Sequence, residues 1–434
     1  MVADVKVESS ASLPADHPLA DSPYSTNWLL RTLAKRDPTF SGLLRLNDVK
    51  SVTATNISGG KGFISKVYKC EIEFTGVKKP HEVILKVPGF DSINDVEKAV
   101  RDQDKPTDEN SAAGRKQRIF ATFHNQECRF YEKLAAQIEG FPLVKMYETA
   151  NWEIDTTRGF LLMESMVGKG DTEGIFQGFT KKQILKIAEY IAHFHKHFLT
   201  MEDTTWQKEF PPTLFQYPED TEFIKVLLER LVEMKPEVFK DRVARVLGFA
   251  NSLKFHAYTS CEVYKECDLP PVLVHGDLWS NNIIWKNDST EVAAFIDFQI
   301  THCGSPALDF ARVLVLCCDG DVRREYEESV LKHYYSVLCE LMEAEGRTVS
   351  FSLDQLERAY RVHLINQTVH LLFMIPFFCC GDHSEAMKPI WEARREKLML
   401  RAIFALDDAL EVLKTIPEEK YKDLKSVERE STYL

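Results

Sequence analysis

Short apolar runs with alternating polar positions recur through the first third of the chain, and this pattern is typical of β-strands. Such runs occur at 67–74, 83–87, 143–148 and 160–164. Between the first two, Thr75–Pro80 contains the glycine and proline of a hairpin turn. The run at 83–87 is apolar except for Lys86. The pattern therefore predicts a small sheet with a lysine inside one of its strands.

Helical spacing of apolar residues occurs once in this first part and then dominates the rest of the chain. Phe120–Ile138 and Thr180–His197 are predicted to be amphipathic helices, and Thr180 is the expected N-cap of the second. Helical patterns also cover 224–264 and 323–414. A β-like island at 272–297 interrupts them, with strands on either side of a polar loop.

These elements predict an α+β fold with two lobes. We expect a small β-rich lobe over residues 25–165 and a large, mainly helical lobe over residues 166–434. Residues 1–24 are rich in Ser, Ala, Asp and Pro, so they are expected to form a disordered leader. The polar stretch 91–118 is expected to be a loop insertion with some helix.

Composition narrows the class of protein. The 434 residues carry a net charge of −12, which disfavours a nucleic-acid or anionic-membrane partner. None of the ten cysteines belongs to a C-x-x-C pair, which excludes a zinc ribbon or thioredoxin-type motif. No apolar run reaches the roughly 18 residues of a membrane span, and no secretory signal is expected. The sequence therefore predicts a soluble, cytoplasmic protein with reduced thiols.

The polar loop of the island carries the most informative residues. An apolar strand runs into His275-Gly276-Asp277, and Asn282 follows at the D-x-x-x-x-N spacing of a kinase catalytic loop. Asp297 ends the next apolar strand. Phosphoryl transfer needs a carboxylate that accepts the hydroxyl proton and oxygen ligands for Mg²⁺. Each pattern alone is common, but the three together predict phosphoryl-transfer chemistry.

A glycine-rich segment lies upstream, where a kinase has its phosphate-binding loop. Gly60 and Gly62 fit the pattern G-x-G-x-x-G-x-V, and Ser65 occupies the position of the third glycine. Such a hairpin lets backbone N–H groups approach phosphates. By itself the segment is a weak signal, since a Gly-Gly-Lys-Gly turn is usually only a turn.

Lys86 is a stronger signal, because a buried lysine without a partner is costly. The functional interpretation has Lys86 contact the α- and β-phosphates of ATP and pair with a helical carboxylate. Glu127 is the best candidate for that partner, and Glu132 is the alternative. The order of glycine loop, Lys, Glu, Asp…Asn and Asp is that of the protein-kinase-like fold.

The amino-acid sequences of these motifs resemble one family in particular. HGDLWSNNIIW, then IDFQ, then GSPALDFARVL are similar to the ecdysteroid-kinase-like family, within the aminoglycoside phosphotransferase and choline kinase group. The resemblance runs from about residue 52 to 413. Glycine replaces the arginine of the protein-kinase H-R-D, and Asp309 follows Asp297 too closely for a peptide-docking activation segment. A protein kinase is therefore disfavoured.

This resemblance implies a role for several residues. Asp277 would be the catalytic base, Asn282 and Asp297 would be Mg²⁺ ligands, and Lys86 would bind the ATP phosphates. Asp309, together with His275, would support the catalytic loop. The hinge that meets adenine would comprise Met163, Glu164, Ser165 and Met166. Phe298-Gln299 departs from the D-F-G pattern, which suggests a segment with less freedom to switch.

The acceptor remains the least determined part. Trp279 and a helical set of polar and aromatic residues, among them His363, Asn366 and His370, could line an acceptor pocket or simply form the core. The resemblance points to a small lipophilic, steroid-like alcohol as the phosphorylated partner. The alternatives are a choline- or aminoglycoside-type kinase and a non-catalytic nucleotide-binding pseudokinase. The oligomeric state is left open, and a metal site at the histidines between 193 and 197 is disfavoured.

Overall fold

The computed structural model describes residues 15–58, 65–89, 109–214, 218–379 and 384–422. The chain forms two units. The first contains the described residues up to 89 together with 109–133 and 144–167, and the second contains 134–143 and the described residues from 168 onward.

Within the described residues, an antiparallel five-stranded sheet and three helices build the first unit. The helices are α1 (Thr26–Arg36), α2 (Pro38–Leu46) and α3 (Glu109–Lys133). The strands are β1 (Val49–Asn56), β2 (Ser65–Phe74), β3 (His81–Pro88), β4 (Met146–Ala150) and β5 (Phe160–Glu164). Their order across the sheet is β1-β2-β3-β5-β4, so β3 lies at the centre. The predicted hairpin joins β2 to β3, with Gly76 at φ +81° where the turn needs a left-handed residue.

Two helices that the strand pattern did not predict complete the core of this unit. Leu29, Leu33 and Phe40 from α1 and α2 are buried with Ile72 and Leu85 of the sheet. Ser25 caps α1 with its side chain, and Asp37 caps α2 immediately before Pro38.

The expected disordered leader is wrong for its second half. Residues 15–24 are described, and they pack on the sheet and helices of the first unit, to which they belong. Leu19 is buried in the core, and Asp21 accepts a hydrogen bond of 2.8 Å from the hydroxyl of Tyr68. A buried leucine and long-range hydrogen bonds to Asp21 from Tyr68 and Lys66 anchor a segment whose composition alone indicates disorder.

Helices dominate the second unit. They are α4 (Lys181–Thr200), α5 (Trp206–Glu209), α6 (Pro218–Met234), α7 (Pro236–Ala250), α8 (Leu253–His256), α9 (Val263–Glu266), α10 (Leu308–Cys317), α11 (Gly320–Ala344), α12 (Leu353–Cys379) and α13 (Lys388–Leu413). The strands are β6 (Gly170–Thr172), β7 (Val272–Val274), β8 (Ile283–Lys286), β9 (Val292–Phe295) and β10 (His302–Gly304). They pair as β6-β8-β9 and β10-β7. The predicted α+β architecture, a β-rich part followed by a mainly helical part, is confirmed.

Several elements differ from the expected bounds. Helix α3 begins at Glu109, eleven residues before the predicted start at Phe120, because the polar stretch ahead of Phe120 is helical from 109 onward. The helix ends at Lys133. Strand β4 begins at Met146, since Leu143 instead bridges to Phe295 in the second unit. Thr180 caps α4 as predicted, through a capping box with Gln183.

Helix α12 is the core helix of the second unit. Within the described part of the chain, it alone is long and apolar enough to cross a membrane by length and composition. The apolar runs in the sequence were expected to be too short for this. In the structure 78% of the most apolar window is buried, because α12 packs against α6, α10 and α13.

The buried histidines of the second unit make a prediction about acid stability. Burial lowers the pKa of His195 to about 3, of His363 to about 3 and of His256 to about 4. The folded state thus keeps them neutral, whereas the unfolded chain binds protons below pH 6.5. Their stabilising contribution is therefore complete above pH 6.5 and is lost progressively as the pH falls to the folded-state pKa, about 4 for His256 and about 3 for His195 and His363. Each histidine adds a slope of about 1.4 kcal/mol per pH unit once the unfolded chain is protonated.

Denaturant unfolding between pH 7 and 4 measures this slope. His195→Gln should make the pH dependence of the unfolding free energy shallower by about 1.4 kcal/mol per pH unit. Equal slopes for wild type and His195→Gln would contradict the assignment.

Candidate active site

A buried ion pair marks the first unit. Lys86 lies on the central strand β3 and is 9% exposed, and Glu127 lies on α3 and is 1% exposed. The lysine Nζ and the Glu127 Oε2 are 2.6 Å apart. A lysine can occupy an apolar strand only when a partner compensates its charge, and Glu127 provides that partner. Glu132, the alternative, is exposed and instead accepts a hydrogen bond from the hydroxyl of Thr149.

The structure describes part of the predicted phosphate loop and the whole of the predicted hinge. Gly60 and Gly62 lie outside the described residues, and Ser65 is the first residue of β2, where it pairs with Pro88. The segment that contains these glycines connects two antiparallel strands, β1 and β2.

The hinge residues form the end of β5 and the two positions after it. The backbone N–H of Glu164 donates to the carbonyl of Lys145 at 2.9 Å, and its carboxylate accepts from the Lys145 N–H at 2.8 Å. Met163 is buried and pairs with Ile84. The buried hydroxyl of Ser165 accepts from Val167 N–H, and Met166 is half-buried. The N–H of Glu164 is therefore already used within the sheet.

Gly276 determines the shape of the loop in the second unit. Its φ is +80°, and a Cβ at this position would lie 2.4 Å from the carbonyl oxygen of Ile300. Only glycine fits both the left-handed backbone and this close approach. The structure thus gives a steric reason why His275-Gly276-Asp277 cannot carry the arginine of H-R-D.

Asp309 holds this loop through its backbone. Its two carboxylate oxygens accept hydrogen bonds from the N–H of His275 at 2.8 Å and of Gly276 at 2.9 Å. Burial raises the pKa of Asp309, and the imidazole of His275 and these two N–H donors oppose that shift. Burial lowers the pKa of His275, so its ring is neutral and bonds Ile296 O through Nε2 at 3.0 Å.

Asp277 and Asn282 are joined directly. The Asn282 Nδ2 donates to the carbonyl of Asp277 at 2.8 Å and to its carboxylate Oδ2 at 3.1 Å. The carbonyl of Asn282 accepts from Ile296 N–H at 3.0 Å, which ties the loop to the residue before Asp297. Asp297 has φ +70°, a strained backbone for a non-glycine residue that is typical of functional sites. The structure therefore joins Asp277 and Asn282 directly, and it places Asp297 next to the residue whose backbone N–H bonds Asn282.

The side-chain oxygens of Asp297 and Asn282 suit a magnesium ion that binds together with a phosphate group. Among the residues that the structure describes, no group of three or more His, Cys, Asp or Glu side chains could hold a metal. A carboxylate at Asp297 and an amide oxygen at Asn282 are hard oxygen ligands, and Mg²⁺ typically uses one or two carboxylates together with substrate phosphates. The residues present therefore fit Mg²⁺ bound with a nucleotide better than an all-protein metal site.

Arg312 belongs to this site, although the motif reasoning did not identify it. Its Nε donates to Asp277 Oδ1 at 3.0 Å, and its Nη2 donates to the same oxygen. Its Nη1 contacts Gln367 Oε1 at 2.9 Å and His370 Nδ1 at 3.0 Å. The available signal was an arginine in the apolar run LDFARVLVLC, the same kind of signal that identified Lys86.

The predicted acceptor residues divide into two groups. His363 and Asn366 are fully buried and bond the carbonyl and hydroxyl of Thr259, so in this structure they are core residues without an accessible surface. His370 contacts Arg312, and Trp279 is buried 5.6 Å from the ring of Phe378. Helical periodicity could not separate these groups because α12 is buried along most of its length.

Comparison with known sequences gives a family match over most of the chain. A family model described as "DUF1679: Uncharacterized oxidoreductase dhs-27" matches residues 45–415. The Caenorhabditis elegans protein "Uncharacterized oxidoreductase dhs-27" is 24% identical over 375 residues, which are 84% of this chain and 43% of that protein. "Uncharacterized kinase-like protein D1044.1" of the same species is 26% identical over 369 residues, 82% of this chain and 93% of that protein. The chain thus spans less than half of the first relative and almost all of the second.

Solved structures also match the chain. A choline kinase from Cryptosporidium parvum Iowa II has a TM-score of 0.48 at 13% identity, with 90% of this chain and 97% of that chain covered. A Plasmodium vivax ethanolamine kinase has a TM-score of 0.41 at 15% identity, with 90% and 94% covered.

The Lys86–Glu127 pair makes a prediction about stability. Glu127→Gln leaves a buried ammonium without its carboxylate, so we expect a loss of about 3–5 kcal/mol in the free energy of unfolding. The double variant Lys86→Met/Glu127→Leu should recover most of that loss, because apolar residues of similar volume tolerate the site. Denaturant unfolding measures both.

Glu132→Gln is the matched control, since it removes a carboxylate from an exposed position of the same helix. Its expected effect is below about 1 kcal/mol. Similar losses for the Glu127 and Glu132 variants would disprove the assigned pairing.

Proposed function

The chain belongs to the DUF1679 family, the ecdysteroid-kinase-like family, and from this premise we propose that it transfers the γ-phosphoryl group of ATP to a hydroxyl of a small, lipophilic, steroid-like alcohol. The observation that carries the proposal is the hydrogen-bonded segment of Asp277, Asn282 and Asp297, whose loop is fixed by Asp309. It presents one carboxylate for a hydroxyl and oxygen donors for a nucleotide-bound cation.

The word oxidoreductase in the family description does not oppose this proposal. It names a protein of which this chain spans 43%. A dinucleotide fingerprint requires its glycines between a strand and a helix of a parallel βαβ unit. Here the glycine segment connects the antiparallel strands β1 and β2, which is the setting of a kinase phosphate loop.

In the proposed step, the acceptor oxygen forms a bond to the γ-phosphorus while the bond from that phosphorus to the bridging β,γ-oxygen breaks. The acceptor proton passes to the carboxylate of Asp277 and then to solvent, and ADP leaves with the electron pair of the broken bond. The carboxylate orients the hydroxyl and receives a proton that becomes acidic as the new bond forms. Asn282 holds this carboxylate through Oδ2.

The remaining residues would manage the charge of the nucleotide. Mg²⁺, when bound with ATP, supplies charge neutralisation to the phosphate oxygens. Asn282 and Asp297 would hold it, and Lys86, kept in place by Glu127, would contact the α- and β-phosphates. Hinge contacts to adenine would come from backbone groups of the 163–166 segment other than the N–H of Glu164.

Two observations favour a neutral lipophilic acceptor over choline or an aminoglycoside. The guanidinium of Arg312 neutralises the carboxylate of Asp277, so the base offers no net negative charge to a cationic acceptor. Partly exposed aromatic residues at the end of α12, Phe373 and Phe378, lie next to His370 and Trp279. Aromatic and aliphatic surface beside the base suits an apolar ring system.

The same features bear on the remaining alternatives and on location. A pseudokinase usually lacks at least one of the catalytic groups, whereas Lys86, Asp277, Asn282 and Asp297 are all present. We further propose a cytoplasmic location, which agrees with the lack of any disulfide between cysteines of the described residues.

Asp277→Asn is the decisive variant for the reaction. It should lower phosphoryl transfer from labelled ATP by about 10³-fold, because the amide cannot accept the hydroxyl proton, and it should leave nucleotide binding within about twofold of wild type. Since this change also removes the charge partner of Arg312, thermal unfolding is measured beside it.

A folded Asp277→Asn protein as active as wild type would refute Asp277 as the base. Asp297→Ala separates an enzyme from a pseudokinase. Its loss of magnesium-dependent transfer supports the enzyme, and an absence of transfer by wild type to any acceptor supports the pseudokinase.

An acceptor screen tests the substrate class. Neutral sterol-type alcohols should have a kcat/KM at least about tenfold above that of choline, ethanolamine or an aminoglycoside, a difference of about 1.4 kcal/mol. The reason is the paired charge at Asp277, which removes the attraction for a cation. Metabolite extracts incubated with labelled ATP, wild type against Asp277→Asn, extend the screen. A cationic acceptor that is preferred over the neutral alcohols would contradict this part of the proposal.

A further inference from the structure

We propose that Arg312 is a positioning residue that fixes the carboxylate of Asp277 for attack by the acceptor hydroxyl. The inference rests on the proposed kinase function and deepens it. Arg312 reaches the base from α10, three residues after Asp309, so one helical turn supplies both the support of the loop backbone and the support of its side chain.

The contacts divide the carboxylate into two unequal oxygens. Both Nε and Nη2 of Arg312 donate to Oδ1 of Asp277. The other oxygen, Oδ2, accepts from Asn282 Nδ2 at 3.1 Å and retains a further lone pair. Oδ2 is therefore the atom that we expect to receive the acceptor proton, and Oδ1 is the anchored oxygen.

Arg312 is itself held from α12. Its Nη1 donates to Gln367 Oε1 at 2.9 Å and contacts His370 Nδ1 at 3.0 Å. Arginine offers only donors, so His370 must be neutral at this contact, and burial lowers its pKa well below the ordinary value. The amide of Gln367 then donates to Asn366 Oδ1 at 3.0 Å. The guanidinium thus has acceptors on two sides and a single position.

This arrangement requires the planar fork of arginine. One edge of the guanidinium, Nε and Nη2, donates to Asp277, and the remaining nitrogen Nη1 contacts Gln367 and His370. An ammonium group cannot make both sets of contacts from one point. Arg312 is 7% exposed, so water has little access to it and loss of these hydrogen bonds would be costly. Of the side-chain bonds that described residues make to this carboxylate, loss of Arg312 would leave the one from Asn282, and the carboxylate could then rotate about its χ2 bond.

Arg312→Lys and Arg312→Gln test the inference with the full-length protein. The expected result is a fall in kcat by about 10²-fold, the scale of a misplaced reacting group, with the KM for ATP within about twofold of wild type. A purely structural role would lower the folded fraction and would not separate kcat from KM. Thermal unfolding and nucleotide binding are therefore measured on each variant.

Arg401→Gln is the matched control. Arg401 is another buried arginine of the same unit, and it contacts Ile175 O, Leu316 O and Asp319 but not Asp277. The folded Arg401→Gln protein should have the same kcat as the wild type. If the Arg312 variants lose no more activity per folded molecule than Arg401→Gln, the inference is wrong.

Gln367→Leu gives a second measurement that leaves Asp277 and Arg312 in place. It should lower kcat in the same direction by about tenfold, and Arg312→Lys/Gln367→Leu should be no slower than Arg312→Lys, because both changes act through one contact chain. Independent, multiplying effects would overturn the inference. A wild type that phosphorylates no acceptor would instead refute the proposed function, and the inference would fall with it.

Discussion

The loop that carries Asp277 depends on one buried carboxylate. Asp309 lies at the start of α10 and accepts both N–H groups that the turn at His275 and Gly276 leaves without a partner. Buried backbone donors without acceptors would cost about 1–3 kcal/mol each, and Asp309 removes this cost at the left-handed turn of Gly276. The direction in which Asp277 leaves the strand β7 follows from this turn.

Two further charged residues of the proposed site are buried inside apolar elements, and each has a carboxylate partner. Lys86 pairs with Glu127 in the first unit, and Arg312 pairs with Asp277 in the second. Well-packed apolar residues are often as stabilising as such pairs, so a buried ion pair is weak evidence for a stabilising role. Both pairs fix a charged group in one geometry, which is the requirement of an active site. Their cost in stability is consistent with a role in function.

The parts of the site that could be predicted are those that local spacing determines. Asp277 and Asn282 lie between β7 and β8, and Asp297 comes shortly after β9, so their order along the chain already implies their proximity. Lys86 could be matched to Glu127 because a buried lysine demands a partner and few helical carboxylates were available. Strands around a polar loop and capped amphipathic helices were predictable for the same local reasons.

Other features depend on contacts between distant residues. Helices α1 and α2 and the anchored segment at 15–24 are stabilised by packing on the sheet, which composition does not encode. His363 and Asn366 bond Thr259, more than a hundred positions away, and this contact places them in the core. Arg312 was detectable as a charged residue within an apolar run. Its partner Asp277 was not, because the motif assigned Asp277 to the catalytic base and gave no reason to pair it with an arginine.

The net charge of −12 can now be interpreted at the site rather than over the whole chain. The two buried cations that the proposed mechanism uses are each matched by one carboxylate, so the Lys86–Glu127 and Arg312–Asp277 pairs are close to neutral. A nucleotide triphosphate would therefore meet hydrogen-bond donors and one shared ammonium rather than a basic surface. In the proposed function, its charge would be offset mainly by the divalent cation that accompanies it, so the acidic net charge does not oppose phosphate chemistry.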